Sequence, residues 1–439
     1  MQNRSFLQRT AILAGLAMGI VALTGCGPAS SAAAASSQAK AQTAKTVSIS
    51  FWESHSSSNP PGIAIAHLLK AFNKTHPHIR VNLTITKASH KALGALAAGD
   101  APVVAWISHY DGNFLAAHAL ISWNKYFGGF PAAERNAIFP SVWHNGEVNG
   151  QHYRIEANAK ISELVYNKSI LAKAGITAPP ATWTQLAQDV AIIKQKVPGV
   201  IPLAWKDSSA HILPPFLSNG GRLFKPGTHQ KQVDFLTPAA VKTFSYFRSL
   251  YQHKEMIFAH GSAIAADFGA GKIAIADGTS AGYFLKLNAA HGAFPVGAIL
   301  YPKGTTGHTA NLVQGLGFVL MIDHTKSQYQ AATKFLAWWF SPKVQAYWGT
   351  HSGYPPETRT ALADISRSFL TKNPGVAVSA KTLASPYTIA RPVPTAYKEV
   401  QSALDTAFYN AVTGRAPVQA ALHTLQKQAD AYLSGQSAL

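Results

Sequence analysis

Val47-Ser48-Ile49-Ser50-Phe51-Trp52 alternates apolar and polar residues with the period of two that a strand requires, and the residues after it decide what sheet it enters. The turn Asn59-Pro60-Pro61-Gly62 opens a helix whose Ile65, Leu68, Leu69 and Phe72 share one face, and His76-Pro77 ends it. Ile79, Val81, Leu83 and Ile85 then alternate with Arg80, Asn82, Thr84 and Thr86, which reads as a second strand. A second helix is expected around Ala92 to Ala98, stopping at Gly99-Asp100. Pro102 to Ile107 is a continuous apolar run of the kind a strand buried on both faces needs. Strand, helix, strand, helix, strand predicts a parallel sheet of α/β class. Ligands of such sheets sit beyond the carboxyl ends of the strands. The segments to watch are therefore Trp52-Glu53-Ser54-His55, Lys87-Ala88-Ser89-His90 and Ser108-His109-Tyr110-Asp111.

The rest of the chain bounds the class. Its 439 residues allow two to four domains at about 100–200 residues each. Hydrophobic residues make up 47% and charged residues only 13%, which excludes disorder along most of the length. Lys and Arg number 38 against 19 Asp and Glu, a balance of +19 that reflects scarce acids rather than basic runs. No run of four basic residues occurs, and no nucleic-acid partner is expected. Few carboxylates and 18 histidines would suit acidic surroundings, where paired carboxylates lose their contribution on protonation.

The first residues point to a compartment. Arg4 and Arg9 precede the apolar stretch Ala11 to Leu23, which is shorter than the roughly 20 residues that span a bilayer. Leu23-Thr24-Gly25-Cys26 follows and resembles a bacterial lipobox. Residues 1–25 are thus expected to be a lipoprotein signal peptide, and Cys26, the single cysteine, the lipid-bearing residue. Residues 26–45, almost entirely Ala, Ser, Gln, Thr and Lys, read as a tether that extends to about 60 Å at most. An extracytoplasmic protein anchored to the membrane, not spanning it, is the expectation.

Beyond the first sheet, a series of weak motifs occurs in a specific order. It runs through Phe51-Trp52, Phe72-Asn73 with His76-Pro77, Ala101-Pro102-Val103-Val104 and Asn149-Gly150-Gln151-His152-Tyr153. It continues with Val165-Tyr166-Asn167-Lys168-Ser169, Pro179-Pro180-Ala181-Thr182-Trp183, Phe268 to Ala276, Phe335 to Ser341-Pro342 and Ser352-Gly353-Tyr354-Pro355-Pro356. Over residues 47–435 the chain resembles the solute-binding proteins of bacterial ABC importers, in the sugar-binding group and nearest to its glycerol-3-phosphate-binding branch. The resemblance implies a two-lobed, type II periplasmic-binding-protein-like fold, each lobe a mainly parallel sheet with flanking helices. It places lobe one at 46–156 and 313–353 and lobe two at 157–312 and 354–439. Alternating helical and apolar segments in lobe two agree with it, as does a helix opened by Ala416-Pro417 with Val418, Leu422, Leu425, Ala429 and Leu433 on one face.

What the resemblance implies is a monomer that traps a carbohydrate, a polyol or a polyol phosphate between its lobes and delivers it to permease subunits, with no cofactor or metal. Tyr354, Arg391 and Trp205 match an anion-binding tyrosine and arginine and an aromatic wall. His90 and His109 stand where that branch has a tyrosine and an acid, and Ala159 or Lys160 where it has a serine. Trp52, Glu53, Ser108 and Asn158 complete the candidate contacts. Thr279 and Ser280 begin a helix, and Gly315-Leu316-Gly317 exposes backbone, so both stretches are further candidates.

Other chemistry competes weakly. Gly278-Thr279-Ser280-Ala281-Gly282 matches the nucleophile elbow of a serine hydrolase, with Asp364 and His423 available downstream, but no oxyanion motif accompanies it. Ser122-Trp123-Asn124-Lys125 lacks the partner motif of a penicillin-binding enzyme. Glu156 and Glu163 fall near an expected hinge and are read as structural rather than as a glycosidase pair. The histidines are scattered, with no metal-ligand spacing.

Overall fold

The computed structural model describes residues 45–108, 111–206 and 208–435. The residues read as a signal peptide, nearly all of those read as a tether, Cys26 and His109 lie outside the described residues. Among the described residues no helix is long and apolar enough to cross a membrane.

The first sheet is ordered Ile79–Ile85, Val47–Glu53, Val104–Ile107, Gly317–Met321, Leu120–Ile121, with Arg154–Glu156 also pairing with Gly317–Met321. Val47–Glu53 pairs in parallel with both neighbours, as the alternation of strand and helix predicts. The helix between the first two strands, Pro60–Thr75, is capped by the Asn59 side chain on Gly62 N–H and buries Ile65, Leu68, Leu69 and Phe72. The second helix, Ala88–Ala97, starts four residues before the expected Ala92. Its cap position, Lys87, makes no side-chain cap bond, so no capping residue marks that start.

The second sheet is ordered Met256–Phe258, Ile201–Trp205, Ile273–Thr279, Ser162–Asn167, Val296–Leu300. Its first three strands are parallel, and Ser162–Asn167 runs against both its neighbours. In each sheet an antiparallel member is the strand that has just crossed from the other. Ser162 begins opposite Thr279, the last residue of its neighbour, and Gly317 begins opposite Ile107. A chain arriving from the opposite sheet enters at the edge where the parallel strands end, so it runs the other way.

The crossings hold one another. Lys160 and Gln314 exchange backbone hydrogen bonds of 2.7 and 2.9 Å, Leu316 C=O accepts Ala157 N–H at 2.9 Å, and Val313 N–H donates to Ile389 C=O at 3.0 Å. Each sheet keeps its own aromatic core. Phe51, Trp106, Phe318, Phe335 and Trp339 pack behind the first, and Trp183, Trp205, Phe247, Tyr301 and Phe408 behind the second. The C-terminal helix Val418–Leu433 follows Pro417 and buries Leu422, Leu425 and Ala429 as expected.

Candidate ligand-binding site

The carboxyl ends of the parallel strands of both sheets, together with the crossings, enclose a cavity of about 450 Å³. His55 and Ser108 reach it from the first sheet and Ser208 and Ser209 from the second; Asn158, Lys160, Gln314 and Gly315 come from the crossings. Tyr354 and Arg391 close it, and the helix Tyr397–Val412 contributes Lys398, Gln401 and Asp405.

One wall is a hydrogen-bonded chain whose direction is fixed. His55 Nδ1 lies 2.9 Å from the buried Glu53 carboxylate, which also accepts the His55 N–H at 2.6 Å. A carboxylate only accepts, so Nδ1 carries the proton and Nε2 is the acceptor. Nε2 is 3.2 Å from the Tyr354 hydroxyl and 3.4 Å from the Asn158 amide nitrogen, both of which donate to it. The Tyr354 ring stacks on Trp348 at 5.5 Å, and burial, with Glu156 and Glu53 beside it, pushes its hydroxyl up to about 12. Tyr354 therefore meets a ligand as a neutral phenol.

Beside this wall Asn158 Oδ1 accepts the Leu316 N–H, and Gly315 adopts φ 143°. A β-carbon on Gly315 would strike the Glu156 carboxylate and come within 2.6 Å of the Asn158 carbonyl oxygen. Only glycine lets the two crossings approach this closely. The carboxylates below are committed to structure. Glu156 is held by Arg154 and by the Asn145 amide, and Glu357 accepts the Ala159 N–H. Burial, with Glu156 nearby, raises the Glu357 carboxyl well above its ordinary range.

The cavity's charge is positive. Among the described residues Lys160, Arg391 and Lys398 line it against a single acid, Asp405, whose carboxylate accepts the Ser209 N–H. Burial, then the positive charges of Lys206 and Arg391, lowers the Lys160 ammonium to about 8, with Glu156 opposing. Charge crowding of this kind is relieved by a bound anion.

Of the candidates from sequence, Ser108, Asn158, Lys160, Gly315, Tyr354 and Arg391 line the cavity, and Glu53 orients His55 from below. Trp52 is half-buried against the cluster around Ala88 and Ala92, and His90 is exposed on the helix Ala88–Ala97. Neither lines the cavity. Trp205 is not a pocket wall: its indole is fully buried, 4.6 Å from the Phe247 ring and 5.4 Å from Tyr301. It shares a strand face with Leu203, and that face looks into the helical layer.

Thr279 and Ser280 also lie off the cavity. Ser280 is 3% exposed, opens the helix Ser280–Ala290 and accepts the Ile161 N–H at 3.3 Å. Asp364 ends one helix and His423 lies within another, and no hydrogen bond to either is seen at Ser280. Nothing here supports a hydrolase. Glu163, bound by the Ser379 hydroxyl at 2.9 Å, is likewise enclosed. His55 lies in a segment singled out from the sequence without being named as a contact, whereas Ser208, Ser209, Gln314, Lys398, Gln401 and Asp405 carry no sequence signal that selects them. The last three, spaced i, i+3, i+7, form a polar stripe on one helix face next to Arg391.

A second, apolar groove of about 360 Å³ continues past the His55–Tyr354 pair. It is lined by Pro60 and Pro61 from one sheet's helix and by Ala281, Phe284 and Leu285 from the other's.

Comparisons with known proteins show the fold and the family. The chain is 24% identical over 419 residues to the sn-glycerol-3-phosphate-binding periplasmic protein UgpB of Yersinia enterocolitica, covering 88% of this chain and 92% of that one. Among solved structures it superimposes on the sugar-binding protein MalE of Xanthomonas citri with a TM-score of 0.78 at 20% identity, over 89% of this chain and 98% of the other. UgpB of Mycobacterium tuberculosis, in complex with glycerophosphocholine, gives 0.76 at 22% identity over 89% and 99%. These likenesses establish the two-lobed fold. The model of the bacterial extracellular solute-binding protein family matches residues 67–378, the greater part of the length, and the chain belongs to that family.

Proposed function

We propose that this protein is the solute-capturing lipoprotein of an ABC importer and that its solute is an anionic polyol, a sugar phosphate or glycerol phosphate. The observation that carries the reading is the cavity between the two sheets, where Lys160, Arg391 and Lys398 face a hydrogen-bonded wall of Tyr354, His55 and Asn158. A guanidinium offers a planar fork of donors to a phosphate, and each charge-assisted bond contributes about 1.5–3 kcal/mol. The hydroxyls of Ser108, Ser208 and Ser209 and the amide of Gln401 suit a polyol. The curated relatives named for glycerol 3-phosphate support an ester of phosphate.

Solute contacts drawn from both lobes favour their closure about the crossings, and the closed form is what a permease would recognise. The protein acts as a monomer held to the outer face of the membrane by lipid on Cys26. Loss of fatty-acid incorporation in Cys26→Ala checks that anchor.

A thermal-shift panel of sugars, sugar acids, sugar phosphates and glycerol phosphates tests the ligand class. Saturation at about 100 Kd adds roughly 2.7 kcal/mol of stability. The expected result is a shift with phosphorylated polyols that disappears in Arg391→Ala and Tyr354→Ala. A shift confined to neutral sugars, or one that survives Arg391→Ala, overturns the anionic reading.

A further inference from the structure

The short strands Glu147–Val148 and Gln151–His152 form a hairpin that turns through Asn149 and Gly150, at φ 51° and 74°. Two consecutive left-handed residues make the turn that Asn-Gly favours, and it sets the register. Glu147 stands directly opposite His152, so both side chains leave the same face. His144 follows the helix Pro140–Trp143, and its carbonyl accepts the Glu147 N–H at 3.2 Å. That turn brings His144 Nδ1 to 2.5 Å from Glu147 Oε2. One nitrogen from each histidine and one carboxylate oxygen lie within 4.8 Å of one another, on the hairpin and away from the residues lining the cavity.

His152 supplies the second observation. It is 7% exposed, and its ring packs on Trp143 at 4.4 Å and Phe127 at 5.4 Å. Nδ1 lies 3.1 Å from Asn124 Oδ1. The other end of that amide donates to Gly150 C=O at 3.0 Å, which identifies the atom facing His152 as oxygen. An oxygen there accepts, so Nδ1 holds the proton and Nε2 presents a lone pair. Nε2 is buried with no hydrogen-bond partner, 3.7 Å from Glu147 Oε2. Two acceptors aimed at one another across that gap repel, and a cation between them reverses the sign.

We propose that His144 Nδ1, Glu147 Oε2 and His152 Nε2 bind one zinc-class transition-metal ion, with water in the fourth position. Ligand atoms about 2.0–2.2 Å from a tetrahedral zinc stand on the order of 3.4 Å apart, near the present Nε2–Oε2 separation. The exposed His144 ring swings outward, its Nδ1 proton passing to solvent while Nε2 takes one up, so that the neutral ring offers the Nδ1 lone pair to the ion. Two imidazoles and one carboxylate select zinc, cobalt or nickel over magnesium or calcium. The ion clips the hairpin to the end of the helix Pro140–Trp143.

The test is calorimetric titration of the whole, untagged, chelator-treated chain with Zn²⁺, with Co²⁺ as spectroscopic probe. One equivalent is expected to bind more tightly than the background of the chain's 18 histidines, raise the melting temperature and give visible Co²⁺ bands. His144→Ala and Glu147→Gln each remove that equivalent. Asn124→Ala weakens it about 10–100-fold, while Asn124→Asp, which keeps the acceptor, retains it. Because His152 is packed, the exposed His144 carries the test if His152→Ala does not fold. Unchanged Zn²⁺ stoichiometry and affinity in His144→Ala and Glu147→Gln, or equal competition by Mg²⁺, overturns the site.

Discussion

Replacing Trp205 with alanine separates a role in the core from a role in the cavity. The indole is fully buried in the second lobe, with the rings of Phe247, Tyr301 and Trp183 at 4.6, 5.4 and 6.0 Å. Removing an aromatic side chain from such a site costs about 3–5 kcal/mol, because the lost transfer energy is joined by an unfilled cavity. At about 2–4 °C per kcal/mol for a lobe of roughly 150–250 residues, the melting temperature drops by on the order of 10 °C. Trp205→Phe keeps part of the packing and drops less. Thermal melts followed by circular dichroism measure this, and titration with the best solute from the panel, well below the variant's transition, measures affinity. A large drop in melting temperature with solute affinity unchanged is expected. Unaltered melting together with lost binding would falsify the placement, since only a side chain facing the cavity behaves that way.

Three further outcomes follow from the geometry. Burial holds the Glu163 carboxyl up at about 8 against an ordinary 4.5. The folded chain binds that proton more tightly than the unfolded chain, so the stabilisation is complete below about 4.5 and is lost as pH rises toward about 8. Glu163→Gln keeps an acceptor for Ser379 and should flatten the decline of melting temperature across that window; parallel curves for parent and variant would sink the argument. Gly315→Ala forces a β-carbon against Glu156 and Asn158 at φ 143°, costing about 1–3 kcal/mol in strain and displacing Asn158 from His55. A variant that melts and binds like the parent refutes the close approach of the crossings. Lys160, lowered to about 8, loses its charge as pH rises past that value, so affinity for an anionic solute declines there. In Lys160→Met calorimetry should find that step missing, and its persistence would assign it to another group.

Much of the first sheet was legible because its signals are local. Alternation at Val47 to Trp52 and the helical stripe through Phe72 depend on neighbours in sequence. The antiparallel sense of Ser162–Asn167 and Gly317–Met321 was not legible, because it comes from the edge at which a crossing chain enters. Ile85 continues the alternation of its strand yet is 46% exposed, since Ile79–Ile85 is an edge strand. At the site, Tyr354, Arg391 and Lys160 follow from the resemblance, and Gly315 from a glycine-flanked stretch that exposes its backbone. Trp205 was misplaced because an aromatic residue at a strand end reads alike whether it faces a cleft or a helical layer. Its period-two partner Leu203 was the available clue. His144 and His152 looked scattered, and the Asn149-Gly150 turn that pairs Glu147 with His152 was the signal that joins them.

The placement of the polar groups also bears on how capture and motion are linked. Asn158, Lys160, Gln314 and Gly315 contact the cavity from the crossings themselves, about which the lobes must turn. A solute touching only these residues would stiffen the hinge without favouring one lobe arrangement over another, because its contacts would be the same in each. Discrimination must come from groups on opposite lobes, His55 and Ser108 on one side and Ser209, Gln401 and Asp405 on the other. The rigid chain from Glu53 through His55 to Tyr354 fixes the first side before any solute arrives. Ser209 is tied to the helix Tyr397–Val412 by Asp405 and Gln401, which fixes the second. A solute whose polar groups reach both fixed sides is therefore expected to drive closure, whereas inorganic phosphate, too small to reach both, is expected to leave the lobes free to part.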